Sequence, residues 1–176
     1  YNRLEFLKNC LKSILDQTKG SPIIEINIID NNSSDKTYDY ILEMQKKFPE
    51  INYFVEKKQG ISHARNLSFK VCKGNFLAFV DDDAIINENW LESLLEELKN
   101  QNEDIIYGGP IFPKFESEPK KWIDKNYFIR KFKKNNGFLG TIKSKEGFSG
   151  GNMCISKNLF LKSDSFNTEI GMTGGN

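Results

Sequence analysis

The chain has 176 residues, of which 25 are Lys or Arg and 24 are Asp or Glu. This length suits one domain with a sizeable core, and so small a net charge gives no reason to expect a nucleic acid as partner. No apolar run approaches the roughly 18 residues of a membrane span, no signal peptide is present, and three widely spaced cysteines are typical of reduced, packed thiols in a cytosolic protein.

Helices and strands alternate over the first hundred residues. Leucines at helical spacing predict a helix over 4–17, and the Ile-rich run that follows predicts a strand over 23–29. The next predicted elements are a helix over 38–48, a strand over 51–55, a helix over about 61–72, a strand over 75–80, a helix over 91–98 and a strand over 104–107. This alternation is typical of βαβ units and a parallel sheet. Because the first helix has no strand before it, we expect that a first strand precedes Tyr1.

The composition changes after Pro113. Lysines and arginine alternate with aromatic residues over 114–134, and several apolar side chains there fall on one helical face. Such a helix either lies at a membrane surface or meets an anionic acceptor, or it packs on the sheet with its lysines in water, which is the interpretation we favour. Further strands are predicted over 136–142 and 148–155, around the loop Ser149-Gly150-Gly151-Asn152.

An acidic turn, Asp81-Asp82-Asp83, directly follows the apolar run Phe76-Leu77-Ala78-Phe79-Val80. Open α/β sheets bind ligands at the carboxyl ends of their strands. Three adjacent carboxylates repel one another unless a cation neutralises them, so the turn indicates a divalent metal that holds a phosphorylated substrate. The alternative is a solvated acidic turn. A calcium loop of the EF-hand type is excluded, because the aspartates are contiguous and lack a central glycine.

Two more polar clusters share this context. Asp30-Asn31 ends a predicted strand, and Gly60-Ile61-Ser62-His63-Ala64-Arg65-Asn66 opens a predicted helix. A carboxylate or amide that reads a base, a cation for phosphates and an acidic turn that binds metal together describe a site for a nucleoside diphosphate.

With these segments the chain resembles the family 2 glycosyltransferases, which are inverting enzymes of the GT-A fold. The resemblance rests on Tyr1-Asn2-Arg3 with its Leu-rich helix, on Ile29 to Thr37, on Gly60 to Asn66, on Phe79 to Asp83 and on Gly150-Gly151-Asn152-Met153. Gly108-Gly109-Pro110, Pro113, Pro119 and Trp122 resemble members that build bacterial surface polysaccharides.

The resemblance implies an α/β fold of the GT-A type, with a mostly parallel, Rossmann-like sheet and helices on both faces. It implies one nucleotide-sugar-binding domain over 1–176, truncated at both ends, with a donor-binding half over 1–110 and an acceptor-side half over 111–176.

The resemblance also implies how the nucleotide is held. Tyr1 would stack on the nucleobase, and Asp30 or Asn31 would hydrogen-bond its edge. Arg65 would contact the diphosphate region of the donor. Asn31 stands where some relatives carry a second acidic residue, which leaves the preferred base open.

For the phosphate end of the donor, the resemblance implies that Asp81 and Asp82 contact the ribose and the sugar phosphate. Asp83, with help from Asp81, would hold Mg²⁺ or Mn²⁺ against the two phosphates, so Asp81 and Asp83 are the expected catalytic residues. The general base of the family is expected beyond Asn176, and we therefore expect the present chain to be inactive alone.

The expected function is metal-dependent transfer of a sugar from a nucleotide-sugar, a UDP-sugar by preference, to a glycan or lipid-linked acceptor. The expected location is the cytoplasm; peripheral contact with the inner face of the plasma membrane through 114–134 belongs to the alternative in which that helix lies at a membrane surface. Two alternatives stay open: a nucleotidyltransferase of similar fold, whose Gly-rich phosphate loop would precede this sequence, and a non-catalytic module that binds nucleotides or glycans.

Overall fold

A computed structural model describes residues 1–18, 21, 25–99, 104–124, 129, 149–163 and 165–170. Ten regular elements lie in these ranges. The helices are α1 (Leu4–Thr18), α2 (Thr37–Lys47), α3 (Ile61–Val71), α4 (Trp90–Leu98) and α5 (Lys157–Lys162). The strands are β1 (Ile26–Asp30), β2 (Ile51–Val55), β3 (Phe76–Val80), β4 (Ile106–Gly108) and β5 (Asn152–Ser156). The predicted alternation of helices and strands is therefore confirmed up to β4, with bounds that agree or differ by at most three residues.

The strands form two hydrogen-bonded sheets in the described residues. β1 and β2 pair in parallel, with Ile26 opposite Ile51, as a βαβ unit requires. β5 lies between β3 and β4 and runs antiparallel to both. The α/β fold class is thus confirmed, with antiparallel pairing that the sequence does not indicate. A central strand is apolar on both faces whichever way it runs, so the buried run of β5 carries no information on its direction.

Two apolar cores hold these sheets. One core packs α1 and α2 onto the parallel pair and contains the fully buried Leu11 and Ile41. The other packs α3 onto the antiparallel sheet and centres on Phe69, which stacks on Phe160 of α5. Leu11 belongs to the apolar stripe of α1, so the helical spacing seen in the sequence is the face that becomes buried.

The basic aromatic segment after Pro113 differs from the prediction where the structure describes it. Residues 114–124 form bends and turns, such as the one closed by the Ile123 N–H on the Lys120 carbonyl at 2.8 Å, and no helix. Pro119 accounts for this, because a proline inside a helix removes a hydrogen bond and clashes with the preceding turn. The rest of the predicted helix, except residue 129, and the predicted strand over 136–142 lie outside the described residues.

The cysteines and the helix lengths agree with the composition. Cys10, Cys72 and Cys154 are free and buried, as their spacing predicts. The longest of the described helices, α1, has 15 residues and carries charged side chains along its exposed face. Among the helices of the described ranges, none combines the length and the apolar character that crossing a bilayer requires.

Candidate functional site

The acidic turn (residues 81–83) begins where β3 ends, and the Ala84 N–H closes it on the Asp81 carbonyl at 3.0 Å. Asp81 and Asp83 line a cavity of about 1040 Å³, whereas Asp82 is absent from its lining. Alternate carboxylates of the turn therefore face the same space. This arrangement follows from the turn itself, since three consecutive side chains cannot all point the same way.

Asp81 is open to the cavity, but the protein surrounds much of its carboxyl group. Burial raises the pKa of Asp81, the Arg65 guanidinium opposes that rise, and the neighbouring Asp83 and Asp82 carboxylates add to it. Gly151 lies against the same carboxyl group so closely that a Cβ at this position would overlap Asp81 Oδ2. A larger residue at 151 would therefore displace Asp81.

Arg65 supplies a cation next to Asp81 from the middle of α3. Its guanidinium lies 6.0 Å from the ring centroid of Phe79 and 5.6 Å from that of Phe166, distances at which a cation is attracted to an aromatic face. Burial lowers the pKa of Arg65, and Asp81 opposes that change; an arginine nevertheless stays charged in proteins. A Cβ at Gly150 would overlap the guanidinium. The glycine pair (Gly150 and Gly151) thus makes room for both Arg65 and Asp81.

Arg3 joins the site although the sequence assigned it no role. Its Nη1 donates to Asp82 Oδ1 and to Asp83 Oδ2, both at 2.9 Å. The hydrogen bond to Asp82 is the main reason why the pKa of Arg3 is raised. The only sequence signal was its place in Tyr1-Asn2-Arg3, because its partners lie 79 and 80 residues further along the chain.

Residues 1 and 2 bring the acidic turn next to the turn after β1. Tyr1 is exposed, and its amino nitrogen lies 3.8 Å from Asp82 Oδ2. Asn2 Oδ1 accepts from the Ser34 N–H at 2.8 Å, while the Asn2 N–H donates to Ser33 Oγ at 3.0 Å. Since Asn2 and Arg3 are adjacent and touch different turns, the two predicted clusters lie side by side.

The side chains of Asp30 and Asn31 are engaged within the protein. Asp30 is buried, and its carboxylate accepts from the Ser33 N–H at 3.0 Å and from the Tyr53 hydroxyl at 2.5 Å. Burial and this hydrogen bond raise the pKa of Tyr53. Asn31 Nδ2 donates to the carbonyls of Glu56 and Lys58, and Asn31 Oδ1 accepts from the N–H of residue 60 at 2.7 Å. Both side chains therefore fix the turn after β1 and the start of α3, a role that the sequence did not predict.

The cavity beside the acidic turn has an apolar wall from α4 and from the loop after β4. Its apolar lining includes Ile85, Trp90, Leu94, Ile111 and Phe112. Asn152 braces this wall, because its Oδ1 accepts from Trp90 Nε1 at 2.9 Å and its Nδ2 donates to the Pro110 carbonyl at 3.2 Å. The loop 149–152 thus contacts the acidic turn through its glycines and the apolar wall through its asparagine.

Asp81 and Asp83 fit a metal that takes some of its ligands from the protein and the others from a substrate. Within the described ranges, no group of three or more His, Cys, Asp or Glu side chains is arranged to enclose a metal ion. Mg²⁺ usually takes only one or two protein carboxylates and completes its shell with water and substrate phosphates. Two carboxylates that face one cavity match that pattern, and they do not match a cage made of protein alone.

Comparison with known proteins identifies the chain. Residues 1–166 match the family described as "Glycosyl transferase family 2". The glucosyl-dolichyl phosphate glucuronosyltransferase of Haloferax volcanii is 23% identical over 176 residues, and the chain spans 54% of that protein's length. The alignment covers 98% of the present chain.

Two solved glycosyltransferases are similar in structure. Staphylococcus aureus TarS 1–349 superposes with a TM-score of 0.74 at 19% identity, and the match covers 98% of this chain and 49% of TarS. The complex of TarS 1–349 with UDP-GlcNAc superposes with a TM-score of 0.53 at 23% identity, and that match covers 60% of this chain and 30% of TarS. The mannosyltransferase PcManGT of Pyrobaculum calidifontis, solved with GDP-Man and Mn²⁺, superposes with a TM-score of 0.65 at 17% identity, covering 97% of this chain and 46% of that one. At such identities the likeness supports the fold. From the family match over residues 1–166, the chain belongs to glycosyltransferase family 2.

Proposed function

We propose that the protein transfers a sugar from a nucleotide-sugar to a hydroxyl group of a glycan or lipid-linked acceptor, with inversion and with a divalent cation. The observation that carries this proposal is that Asp81 and Asp83 face one cavity while Arg65 lies beside Asp81. Two carboxylates that face a cavity, with a guanidinium beside one of them although outside the cavity lining, suit a metal-bound diphosphate better than they suit a neutral ligand. Membership of the family supports the reaction class.

For the nucleotide, we assign base stacking to Tyr1 and hydrogen bonding of the base edge to Asp30 or Asn31. The side-chain oxygens of Asp30 and Asn31 already accept hydrogen bonds from the protein. They keep capacity for a base edge, since a carboxylate or amide oxygen accepts more than one hydrogen bond. Arg65 contacts the diphosphate. We propose UDP as the nucleotide, because TarS 1–349 has been solved with UDP-GlcNAc; GDP is the competing candidate, because PcManGT has been solved with GDP-Man.

For the phosphate end, Asp81 and Asp82 contact the ribose and the sugar phosphate, and Asp83 with Asp81 holds Mg²⁺ or Mn²⁺. When bound, the cation supplies Lewis-acid stabilisation of the charge that develops on the departing nucleoside diphosphate. The bond between the anomeric carbon and the phosphate oxygen breaks as the acceptor oxygen attacks the anomeric carbon. A general base, which we place beyond Asn176, takes the proton of the acceptor hydroxyl.

For the acceptor, we propose the apolar wall of the cavity and the segment 111–176. The wall offers aromatic and aliphatic surface next to Asp83, and Trp122 further along is 80% exposed. The Haloferax relative is named for a lipid-linked sugar. We infer that the protein acts in the cytoplasm on a cell-envelope polysaccharide.

The test uses the full-length gene product. Calorimetric titration with UDP, GDP, CDP and dTDP in the presence of Mn²⁺ should give the tightest binding for UDP. Incubation with labelled UDP-sugars and candidate acceptors should release UDP and label the acceptor. Formation of UTP and a sugar 1-phosphate from the UDP-sugar when pyrophosphate is added would instead indicate a nucleotidyltransferase, and nucleotide binding without turnover would indicate a non-catalytic module; either result would overturn the proposal.

A further inference from the structure

Arg3 is a cation placed on the acidic turn by the fold. A single nitrogen, Nη1, donates to Asp82 and to Asp83 at equal distances of 2.9 Å. The side chain is tethered at its base, because the Arg3 carbonyl accepts the Leu7 N–H at 3.0 Å in the first turn of α1. The guanidinium also lies over the Phe6 ring, with 5.8 Å between Arg3 Cζ and the ring centroid.

This contact changes the charge of the turn more than the stability of the fold. About half of the Arg3 side chain is exposed, as is 44% of the Asp83 side chain. Ion pairs with this exposure contribute little to folding, because water screens them. They nevertheless place a positive charge within hydrogen-bond distance of two of three mutually repelling carboxylates, and so lower the repulsion that the turn would otherwise carry.

One of the two carboxylates that Arg3 contacts faces the cavity. Asp83 lines the cavity together with Asp81, whereas Asp82 does not. A divalent cation that approaches Asp83 from the cavity meets a carboxylate that is already neutralised in part by a guanidinium. Like charges at this separation repel, so the cation and Arg3 oppose each other at the same side chain.

We propose that Arg3 is a positioning residue that holds the acidic turn in place without metal and competes with the divalent cation for Asp83. The bare protein then binds the cation weakly, and the donor diphosphate restores the affinity, because its negative charge offsets the guanidinium. This inference rests on the proposed function, which makes Asp83 a metal ligand. It adds Arg3 to the residues of the proposed site. Because of Arg3, the cation binds together with the nucleotide in preference to binding alone.

The test measures Mn²⁺ affinity directly, from the electron paramagnetic resonance signal of free Mn²⁺, in the full-length protein with and without UDP. Arg3→Ala should bind Mn²⁺ alone roughly fivefold more tightly than the wild type, as expected for removing one partly screened charge. Arg3→Lys, which keeps the charge, should stay near the wild type. With UDP present, the difference between Arg3→Ala and the wild type should shrink.

Lys8→Ala is the matched control, because Lys8 lies on the same helix and pairs with Glu5 at 2.7 Å. It removes the same charge from the protein and should leave the Mn²⁺ affinity unchanged. Arg3→Met, which removes the charge but keeps a long aliphatic side chain, repeats the test should Arg3→Ala fail to fold. Equal or weaker Mn²⁺ binding by the uncharged variants would overturn this inference alone. Absence of Mn²⁺ binding by the wild type, with UDP as well as without it, would overturn the metal site of the proposed function too.

Discussion

Two polar turns at the ends of β1 and β3 differ in what their side chains already bind. In the turn after β1 (residues 30–35), Asp30 is buried and both of its oxygens accept hydrogen bonds from the protein, and the Asn31 amide makes three bonds to backbone groups. In the acidic turn, Asp81 and Asp83 face a cavity, and Arg3 and Arg65 supply the nearby positive charge.

The difference separates a turn whose side chains mainly hold the fold from a turn whose side chains mainly face a ligand. A buried carboxylate with its hydrogen bonds satisfied stabilises the fold, because removing it leaves buried donors without partners. A carboxylate that faces a cavity can still bind a ligand. Its partial burial disfavours the charged form, and a bound cation would offset that free-energy cost. We therefore expect substitutions after β1 to act mainly on stability and substitutions in the acidic turn to act mainly on binding.

The largest effect on stability is expected for Asp30→Ala. The variant leaves the Tyr53 hydroxyl and the Ser33 N–H unpaired, which should lower the free energy of unfolding by about 3 kcal/mol. Chemical denaturation followed by circular dichroism measures the change. Asp39→Ala, an exposed aspartate in the first turn of α2, should cost no more than about 1 kcal/mol. Similar stability of the two variants would show that Asp30 is not part of the scaffold.

Gly151→Ala should have an intermediate effect and should act on binding. The added methyl group overlaps the Asp81 carboxyl group, and overpacking of this kind costs about 1–3 kcal/mol. If Asp81 gives way, UDP binding with Mn²⁺ should weaken by roughly ten- to a hundredfold, as calorimetry would measure. Gly74→Ala serves as the control, because its Cβ would lie no closer than 3.4 Å to its nearest neighbour, the backbone oxygen of Phe76. Unchanged nucleotide binding by Gly151→Ala would contradict the position of Asp81.

The smallest effect is expected for the stability of Asp81→Asn. Burial raises the pKa of Asp81, so the folded protein holds this proton to a higher pH than the unfolded chain does. The stability contributed by the group is present at low pH and is lost as the pH rises through the raised pKa. At neutral pH the charged group is then a small cost, and Asp81→Asn should unfold at an equal or slightly higher temperature than the wild type. A variant that is clearly less stable at pH 7, but not at pH 3, would contradict this.

Local pattern was enough to predict much of the fold. The apolar stripe of α1 and the run that forms β3 identify those elements, since the spacing that defines each one is also the face that it buries. The direction of β5 and the presence of α5 could not be predicted in this way. β5 is buried on both faces between two strands, and α5 has six residues, too few for a helical period to stand out.

For the site, the sequence indicated the acidic turn and Arg65. It indicated neither the role of Arg3 nor the hydrogen bonds of the Asn31 amide to backbone groups. Carboxylates that follow an apolar run are visible in the sequence as a cluster. The partners of Arg3 lie 79 and 80 residues away, and those of Asn31 include backbone carbonyls beyond β2. These backbone carbonyls come within hydrogen-bond distance of Asn31 only when β1 and β2 have paired, so no pattern of side chains in the sequence predicts the contact.

The central claim is that the acidic turn is where a metal and a nucleoside diphosphate bind. The most direct measurement is UDP binding by Asp83→Ala in the full-length protein, over a range of Mn²⁺ concentrations, with Glu92→Ala as a control for the loss of an exposed carboxylate outside the cavity lining. We predict that Asp83→Ala keeps its fold and loses the Mn²⁺ dependence of UDP binding, while Glu92→Ala behaves as the wild type. UDP binding by Asp83→Ala with the wild-type dependence on Mn²⁺ would contradict the account.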